Sequence, residues 1–202
     1  MAQPIMLITG GSRGIGAATA LLAAERGWQV AISYLGNASA ADAVVAQIRD
    51  QGGQALAVQA DVGVDEDVQR LFSTVDDKLG RLSSLVNNAG MLELQTRLDQ
   101  MDLARWQRVF SANVFGSFLC AKQAVLRMST RHGGDGGTIV NVSSAAARIG
   151  SPNEFIDYAA AKGAVDSMTI GLAKEVAAEG VRVNAVRPGL IYTDIHASAG
   201  EP

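Results

Sequence analysis

The chain has 202 residues, of which 48% are hydrophobic and 18% are charged, and its formal net charge is −3. This is the composition of a globular protein with a substantial core, and nothing in the charge balance indicates a nucleic-acid surface. The single cysteine, Cys120, excludes an internal disulfide, and no secretory signal or apolar run of ~20 residues is apparent, so we expect a cytoplasmic protein without membrane contact.

Short apolar segments alternate with longer helix-like segments along the chain. The apolar segments predict strands at residues 5–9, 29–34, 55–59, 84–87, 138–142 and 182–186. The intervening segments predict helices at residues 17–26, 38–51, 65–79, 103–130 and 158–179. Apolar strands joined by helices predict a parallel sheet covered on both faces. We therefore expect a single α/β domain over residues 1–202, with a doubly wound Rossmann sheet in three α/β/α layers.

A glycine-rich turn follows the first predicted strand, where the sequence reads Thr9-Gly-Gly-Ser-Arg-Gly-Ile-Gly16. Glycines let the backbone turn sharply, and the N-terminus of the next helix points free N–H groups at the same place. The turn therefore predicts a site for the pyrophosphate of a dinucleotide, although a plain tight turn is the alternative. The residues expected to contact the cofactor here are Gly10, Ser12, Arg13, Gly14, Ile15 and Gly16.

The ends of the second and third strands bear on the choice between NAD and NADP. Residues 33–37, which end at Asn37, contain no acid to bind the ribose hydroxyls and repel a 2′-phosphate. Arg13 is placed to reach that phosphate, so we expect NADP(H), with NAD(H) possible; a solvated surface charge is the alternative for Arg13. Asp61, followed by Val62, is expected to meet the adenine amino group, or else to be a turn or capping residue.

Tyr158 and Lys162 lie one helical turn apart at the start of the last predicted helix. Residues at i and i+4 share a helix face, so the phenol and the ammonium can point to the same place. A free tyrosine has a pKa near ~10, and lowering it by ~3 units requires about 4 kcal/mol, to which a nearby cation contributes. Because such pairs occur by chance on many helices, this one predicts proton chemistry only together with other residues.

Two further polar residues accompany the pair. Ser144 is the second residue of a Ser-Ser pair after the fifth strand, and a hydroxyl near a substrate oxygen stabilises developing negative charge. Asn113 lies inside the long helix, although asparagine is a poor helix former. We expect either a local kink that holds a water molecule or a residue that faces solvent.

Taken in order, these motifs resemble the classical short-chain dehydrogenase/reductase family over residues 5–195. The matching elements are the 9–16 turn, Asp61, Asn87-Asn88-Ala89-Gly90, Asn113, Ser144, Tyr158 with Lys162, and Pro188-Gly189. Residues 142–163 are similar to bacterial members labelled glucose 1-dehydrogenase-like or 3-oxoacyl-carrier-protein-reductase-like. The resemblance implies an NADP(H)-dependent oxidoreductase that transfers hydride between nicotinamide and a carbonyl or secondary alcohol of a small molecule.

The resemblance also implies a role for each matching residue. Tyr158 is the general acid/base, and Lys162 lowers its pKa and binds the nicotinamide ribose. Ser144 hydrogen-bonds the substrate oxygen, and Asn113 holds a water that links Lys162 to solvent. The remaining expected cofactor contacts are Asn88, Ala89 and Gly90 on the adenosine side, and Pro188, Gly189, Ile191 and Thr193 at the nicotinamide.

Several alternatives stay open at this point. The chain can instead be an NAD-dependent sugar or alcohol dehydrogenase, a regulatory protein that binds the dinucleotide without turnover, or a lyase or epimerase. The substrate and the direction of the reaction are not specified. Family members continue beyond this point with lid helices and a last strand, so we expect the whole protein to be longer.

The resemblance further implies a homodimer or homotetramer formed through the helices at 103–130 and 158–179. The alternative is that these helices only cover the sheet. His132 and His196 are expected in surface loops, and without an acidic cluster at ligand spacing they predict no metal site.

Overall fold

Six parallel strands form the central layer of the protein, which a computed structural model describes over residues 3–193. The strands are β1 (Ile5–Ile8), β2 (Gln29–Tyr34), β3 (Ala55–Gln59), β4 (Ser84–Asn87), β5 (Gly137–Val142) and β6 (Val181–Val186). They lie in the order β3-β2-β1-β4-β5-β6, and every neighbouring pair is parallel. The chain runs from β1 to one edge and then returns to β4 beside β1, which opens a crevice at the carboxyl ends of these two strands.

Helices connect the strands. Within the described residues the α-helices are α1 (Gly14–Glu25), α2 (Ala38–Asp50), α3 (Asp65–Lys78), α4 (Leu103–Phe110), α5 (Gly116–Met128), α6 (Ala146–Ile149) and α7 (Ile156–Glu175). A π-helical segment, Ser111–Phe115, joins α4 to α5. Short 3₁₀ turns cover Leu98–Gln100, Thr130–His132 and Ala177–Glu179.

The two faces of the sheet carry separate hydrophobic clusters because neighbouring residues of a strand point to opposite sides. Leu7 belongs to a cluster with Phe72 of α3 and Cys120 of α5. The next residue, Ile8, belongs to the other cluster, with Ala20 of α1 and Ile48 of α2. The sheet is therefore covered on both sides, and the predicted three-layer doubly wound fold is confirmed.

The long helix predicted at 103–130 is interrupted in its first half. Asn113, at the centre of the π-helical segment, is fully buried and its Nδ2 donates to the carbonyl of Val109 at 2.9 Å. Because that side-chain amide occupies the carbonyl four residues back, the backbone widens locally into π geometry. The expected local distortion is present, and the alternative of a solvent-facing residue is wrong.

Other boundaries differ for local reasons. α1 begins at Gly14 rather than residue 17, since the glycine turn leads directly into the helix. α7 spans Ile156–Glu175 rather than 158–179, and a 3₁₀ turn follows it. The one-turn helix α6 was not predicted, because four residues carry too little periodicity to recognise.

The stretch Leu103–Met128 is long and apolar enough to cross a membrane by length and composition, contrary to the expectation that no run approaches that length. Of its most apolar 18-residue window, 44% is buried inside the protein, and α5 packs against α3, β4 and β5. The core helix of a water-soluble fold meets the same two criteria, so the stretch is weak support for a membrane span.

Candidate active site

A cleft of about 910 Å³ lies at the carboxyl ends of the strands, where doubly wound sheets bind their ligands. Most residues expected at the site line it: Gly10, Ser12, Arg13, Gly14, Ile15, Asn37, Asp61, Val62, Asn88, Ala89, Gly90, Ser144, Tyr158, Lys162, Pro188, Gly189, Ile191 and Thr193. The other two, Gly16 and Asn113, are buried behind this lining. The fold therefore brings both expected groups of residues to one cavity.

The turn after β1 depends on glycine, and Gly10 and Gly16 show why. Gly10 has a φ of +64°, in the left-handed region that favours glycine. A Cβ at Gly16 would clash with the Gly10 carbonyl oxygen and lie 2.5 Å from Asn88 Nδ2. The missing side chains let α1 start directly at the cleft, where its first residues lack a side-chain cap. A tight cradle beside an uncapped helix N-terminus fits the phosphates of a dinucleotide.

Asn88 ties this turn to the next strand of the sheet. Its Nδ2 donates to the carbonyls of Thr9 at 2.9 Å and Gly10 at 3.0 Å. In return, Thr9 Oγ1 accepts from the backbone N–H groups of Asn88 and Ala89, both at 3.0 Å. Asn88 therefore supports the shape of the glycine turn, and Thr9 is a structural partner that sequence analysis did not single out.

The ends of β2 and β3 form the far wall of the cleft. Ser33 Oγ accepts from the N–H of Gly10 at 3.2 Å, so β2 also supports the turn. Asn37 caps α2 by accepting from the N–H of Ala40 at 3.1 Å, and Asp61 Oδ1 accepts from the N–H of Gly63 at 2.9 Å. The turn alternative for Asp61 is thus present in the structure and Asn37 is an N-cap, although both residues also line the cleft.

Ser144 and Tyr158 meet at the other end of the cleft. Ser144 follows β5, Tyr158 lies in the first turns of α7, and both residues line the cleft. Burial raises the pKa of Tyr158, and the hydrogen bond from Ser144 opposes that rise. In the protein alone the pKa of Tyr158 is thus above its ordinary value, opposite to the lowering expected from Lys162.

Lys162 is buried beside this pair. Its Nζ donates to the carbonyl of Val142 at 2.8 Å and lies 5.5 Å from the centroid of the Tyr158 ring. Burial lowers the pKa of Lys162 to about 8, while the carboxylate of Asp166 opposes this shift. An ammonium this close to the Tyr158 ring can stabilise a phenolate at that residue.

The neighbouring serine has a different partner. Ser143 is 2% exposed, and its Oγ donates to the carbonyl of Lys162 at 3.2 Å. Its hydroxyl is thus used to hold the backbone of α7 against β5. Ser144 Oγ instead accepts from the N–H of Ala146 at 3.1 Å, which holds the serine at the start of α6.

Asn113 lies directly behind Lys162. Its side chain exchanges hydrogen bonds with the backbone of Met91, donating to the carbonyl at 3.0 Å and accepting from the N–H at 3.3 Å. A Cβ on Gly90 would lie 2.6 Å from Asn113 Oδ1 and 3.5 Å from Lys162 Nζ. Glycine at this position lets the asparagine and the lysine approach each other closely.

The segment after β6 closes the cleft from above. The carbonyl of Pro188 accepts from the N–H of Ala145 at 2.9 Å, which joins this segment to the loop after β5. Thr193 reaches the glycine turn, because a Cβ on Gly14 would lie 3.2 Å from its Cγ2. His196 lies outside the described residues, and His132 is exposed in its 3₁₀ turn.

Sequence analysis missed the wall beside Ser144 and Tyr158. It consists of apolar side chains from α6 and from the loops after β4, before α7 and after β6: Met91, Leu92, Ile149, Phe155 and Leu190. The loop before α7 also contains Ser151 and Asn153 at positive φ of 42° and 66°. The Gly150-Ser-Pro-Asn153 run marks a turn, but only its contacts place it at the cleft. Residues 3–193 contain no cluster of three metal-binding side chains.

The fold and this cleft define an α/β protein of the dinucleotide-binding class. Residues 4–202 match the family model of the short chain dehydrogenases, so the chain belongs to that family. It is 53% identical over 198 residues to the uncharacterized oxidoreductase YgfF of Escherichia coli, covering 98% of this chain and 80% of the relative. It is 46% identical over 191 residues to a 3-oxoacyl-[acyl-carrier-protein] reductase of Synechocystis, covering 95% of this chain and 75% of the relative.

Solved structures agree with the family assignment. A dehydrogenase/reductase from Sinorhizobium meliloti superimposes with a TM-score of 0.89 at 35% identity, covering 96% of this chain and 75% of that one. A short-chain type dehydrogenase/reductase from Mycobacterium marinum gives a TM-score of 0.90, also at 35% identity, over 96% of this chain and 76% of the other. The protein is an oxidoreductase that acts on a CH–OH or C=O group.

Proposed function

We propose that the protein is an NADP(H)-dependent oxidoreductase in which Tyr158 exchanges a proton with the oxygen of a small carbonyl or secondary alcohol. The observation that carries this proposal is the meeting of Ser144, Tyr158 and Lys162 at one cleft, with the Lys162 ammonium 5.5 Å from the centroid of the Tyr158 ring. Two hydroxyls side by side can both donate to one substrate oxygen.

The proton steps follow from the environment of each group. NADPH, when bound, supplies the hydride to the carbonyl carbon of the substrate. Burial raises the pKa of Tyr158, so the phenol carries its proton at neutral pH and can donate it to the substrate oxygen. The resulting phenolate is stabilised by the Lys162 ammonium, and the Ser144 hydroxyl holds the substrate oxygen in place. Oxidation of an alcohol runs the same steps in reverse.

Lys162 and Asn113 are proposed to return the proton to Tyr158. Lys162 has a pKa of about 8, so it can exchange protons near neutral pH. Asn113 and Lys162 both border the position of Gly90, so the asparagine and the lysine lie close together. We infer that a water held by Asn113 links Lys162 to solvent, while Lys162 also binds the ribose of the nicotinamide.

The cofactor is proposed to extend along the cleft from the glycine turn to Tyr158. Gly10, Ser12, Gly14, Ile15 and Gly16 would hold its phosphates. Asn37, Asp61, Val62, Asn88, Ala89 and Gly90 would contact the adenosine side. Pro188, Gly189, Ile191 and Thr193 would contact the nicotinamide. NADP is preferred because Arg13 is exposed at the turn and residues 33–37 contain no acid.

Exposed apolar side chains on α5 and α7 are the basis for proposing a surface that binds another copy of the protein. Phe118 and Leu126 of α5 and Ile170 of α7 are 50%, 43% and 57% exposed, which is unusual for large apolar side chains on adjacent helices. We propose that these helices form the interface of a homodimer or homotetramer. Light scattering of the purified protein tests this, and a monomer at micromolar concentration contradicts it.

Replacement of Tyr158 by phenylalanine tests the mechanism. Tyr158→Phe keeps the ring but removes the transferable proton, so NADPH oxidation over a panel of carbonyl compounds should fall about 10²–10⁴-fold. NADPH binding, followed by fluorescence, should change by no more than about threefold. The matched control is Tyr192→Phe, because Tyr192 is fully exposed and its hydroxyl has no place in the proposed chemistry.

The outcomes separate the alternatives. Turnover that survives Tyr158→Phe contradicts the mechanism. If the wild-type protein binds NADPH but no carbonyl compound of the panel causes its oxidation, a regulatory role is supported instead. Product formed without net consumption of the cofactor supports a lyase or epimerase. Tighter binding of NADH than NADPH supports an NAD-dependent dehydrogenase.

A further inference from the structure

A buried ion pair lies next to Tyr158 and has no role in the proton steps. Arg105 of α4 and Asp157 of α7 form a bidentate contact, with Nε 2.6 Å from Oδ2 and Nη2 3.2 Å from Oδ1. Their side chains are 8% and 2% exposed. Among the ion pairs between described residues, it is the only one in which both side chains are more than nine-tenths buried.

The pair joins three segments at the catalytic end of the cleft. Arg105 Nη1 donates to the carbonyl of Leu94, in the loop after β4, at 2.5 Å. The backbone N–H of Arg105 donates to Asp102 at the start of α4 at 2.7 Å. Asp157 Oδ1 accepts from the backbone N–H of Tyr158 at 2.9 Å. One guanidinium–carboxylate contact therefore connects the loop after β4, α4 and the residue that carries the phenol.

Such a pair is a poor source of stability. Removing two charges from water costs as much as their attraction returns, and apolar replacements of buried ion pairs are often neutral or stabilising. What the pair supplies is geometry, because a planar fork holds a carboxylate in one orientation. The first turn of α7 needs such a fixed carboxylate, because Phe155, which precedes the helix, provides no side-chain cap.

We propose that Arg105 and Asp157 are positioning residues that hold the first turn of α7 so that the Tyr158 hydroxyl stays against Ser144. The same contact aligns α4, whose Val109 packs against Ala161 and receives the Asn113 amide. The proposal rests on the proposed function, in which Tyr158 is the acid/base. A misplacement of about 1 Å at a reacting group can lower a rate about a hundredfold.

The test replaces the pair by apolar residues of similar size. The double variant Arg105→Met/Asp157→Leu should fold, because no uncompensated charge is buried, and urea titration measures its free energy of unfolding. It should bind NADPH within about threefold of the wild type and keep its KM, while kcat falls about a hundredfold. The pH–rate profile should also shift upward, because the Ser144 hydrogen bond that lowers the pKa of Tyr158 is loosened.

Matched variants keep the outcome interpretable. The control is Arg127→Met/Asp76→Leu, which removes the 2.7 Å ion pair between α5 and α3, away from the cleft. Arg105→Lys keeps the charge but loses the bidentate fork, so kcat should fall about tenfold. This variant tests the inference if the double variant does not fold. A wild-type kcat and pH profile in the folded Arg105 variants overturns the inference, as does an equal loss in the control.

Tyr158→Phe separates this inference from the proposed function. If Tyr158→Phe is inactive while the double variant has full activity, only the positioning role is wrong. If Tyr158→Phe turns over normally, the proposed function is wrong whatever the double variant does. In the Tyr158→Phe background the double variant should cause no further loss, because residues that act through one group are not additive.

Discussion

The half of the cleft after β1 to β3 is built from backbone, whereas the half after β4 to β6 is built from side chains. In the first half, Gly10 and Gly16 belong to a turn that hydrogen bonds between Asn88 and the residues Thr9 and Gly10 hold in shape. In the second half, the side chains of Ser144, Tyr158 and Lys162 meet at the cleft, and Lys162 is only 4% exposed. The first half is suited to holding a ligand, and the second to moving a proton in a desolvated place.

This difference predicts that variants of the two halves fail in different measurements. A change in the backbone half should weaken cofactor binding, because it alters the shape that receives the phosphates. A change in the side-chain half should lower kcat with little effect on binding, because these groups act mainly on the transition state. The following variants test the contrast.

Among these variants of the two halves, replacement of Ser144 should have the largest effect. Ser144→Ala removes one of two donors to the substrate oxygen, so kcat should fall about 10²–10³-fold while NADPH binding changes by no more than about threefold. The matched control is Ser143→Ala, since the Ser143 hydroxyl is bound to the Lys162 carbonyl. Steady-state kinetics with a reactive carbonyl measures both, and an equal loss in both variants contradicts the assignment of Ser144.

In the backbone half, Gly16→Ala places a methyl against the Gly10 carbonyl and the Asn88 amide. NADPH binding should weaken about a hundredfold and the free energy of unfolding should fall by about 1–3 kcal/mol. Gly163→Ala is the control, because a Cβ there meets nothing within 4 Å outside its own helix, and it should stabilise α7 by about 0.5–1 kcal/mol. If Gly16→Ala binds NADPH normally, the turn does not hold the phosphates.

The buried charge of Lys162 should make stability depend on pH. The pKa of Lys162 is lowered from 10.5 to about 8, so between these values the unfolded chain binds more protons and the free energy of unfolding rises with pH. Two groups oppose this at higher pH. The pKa of Cys120 is raised from 9.0 to about 12, and the pKa of Tyr158 is raised from 10.0, so each lowers stability as the unfolded chain ionises.

A Cys120→Ala background isolates the contribution of Lys162 below the range of Tyr158. In that background, stability should rise by about 2 kcal/mol from about pH 7.5 to about pH 9.5. Lys162→Met in the same background should abolish the rise. Urea unfolding at several pH values measures this rise in the free energy of unfolding. If Lys162→Met shows the same rise with pH, another group is responsible.

Arg13 should give the smallest effect. It is exposed, so its attraction to a 2′-phosphate is screened by water and salt, and Arg13→Ala should weaken NADPH binding about tenfold without changing NADH binding. Arg26→Ala, at the opposite end of α1, is the matched charge control. Equal weakening of both cofactors by Arg13→Ala contradicts a contact with the 2′-phosphate.

Local patterns were sufficient for the parallel sheet and for the residues at its carboxyl ends. Strand and helix periodicities depend on neighbours a few residues apart, and the glycine turn is one contiguous segment. The same patterns did not predict α6, because it is too short. They indicated a distortion at Asn113 but not its π-helical geometry, which depends on the Asn113 side chain reaching the Val109 and Met91 carbonyls.

The protonation behaviour of the site also required packing. Spacing placed Tyr158 and Lys162 on one helix face and suggested a lowered tyrosine pKa, but burial raises it in the protein alone. The Arg105–Asp157 pair joins residues 52 positions apart, so no local pattern marks it. Desolvation and long-range ion pairs depend on what the folded chain places around a group, which is why Tyr158 and Lys162 were recognisable from sequence while their pKa values and their support were not.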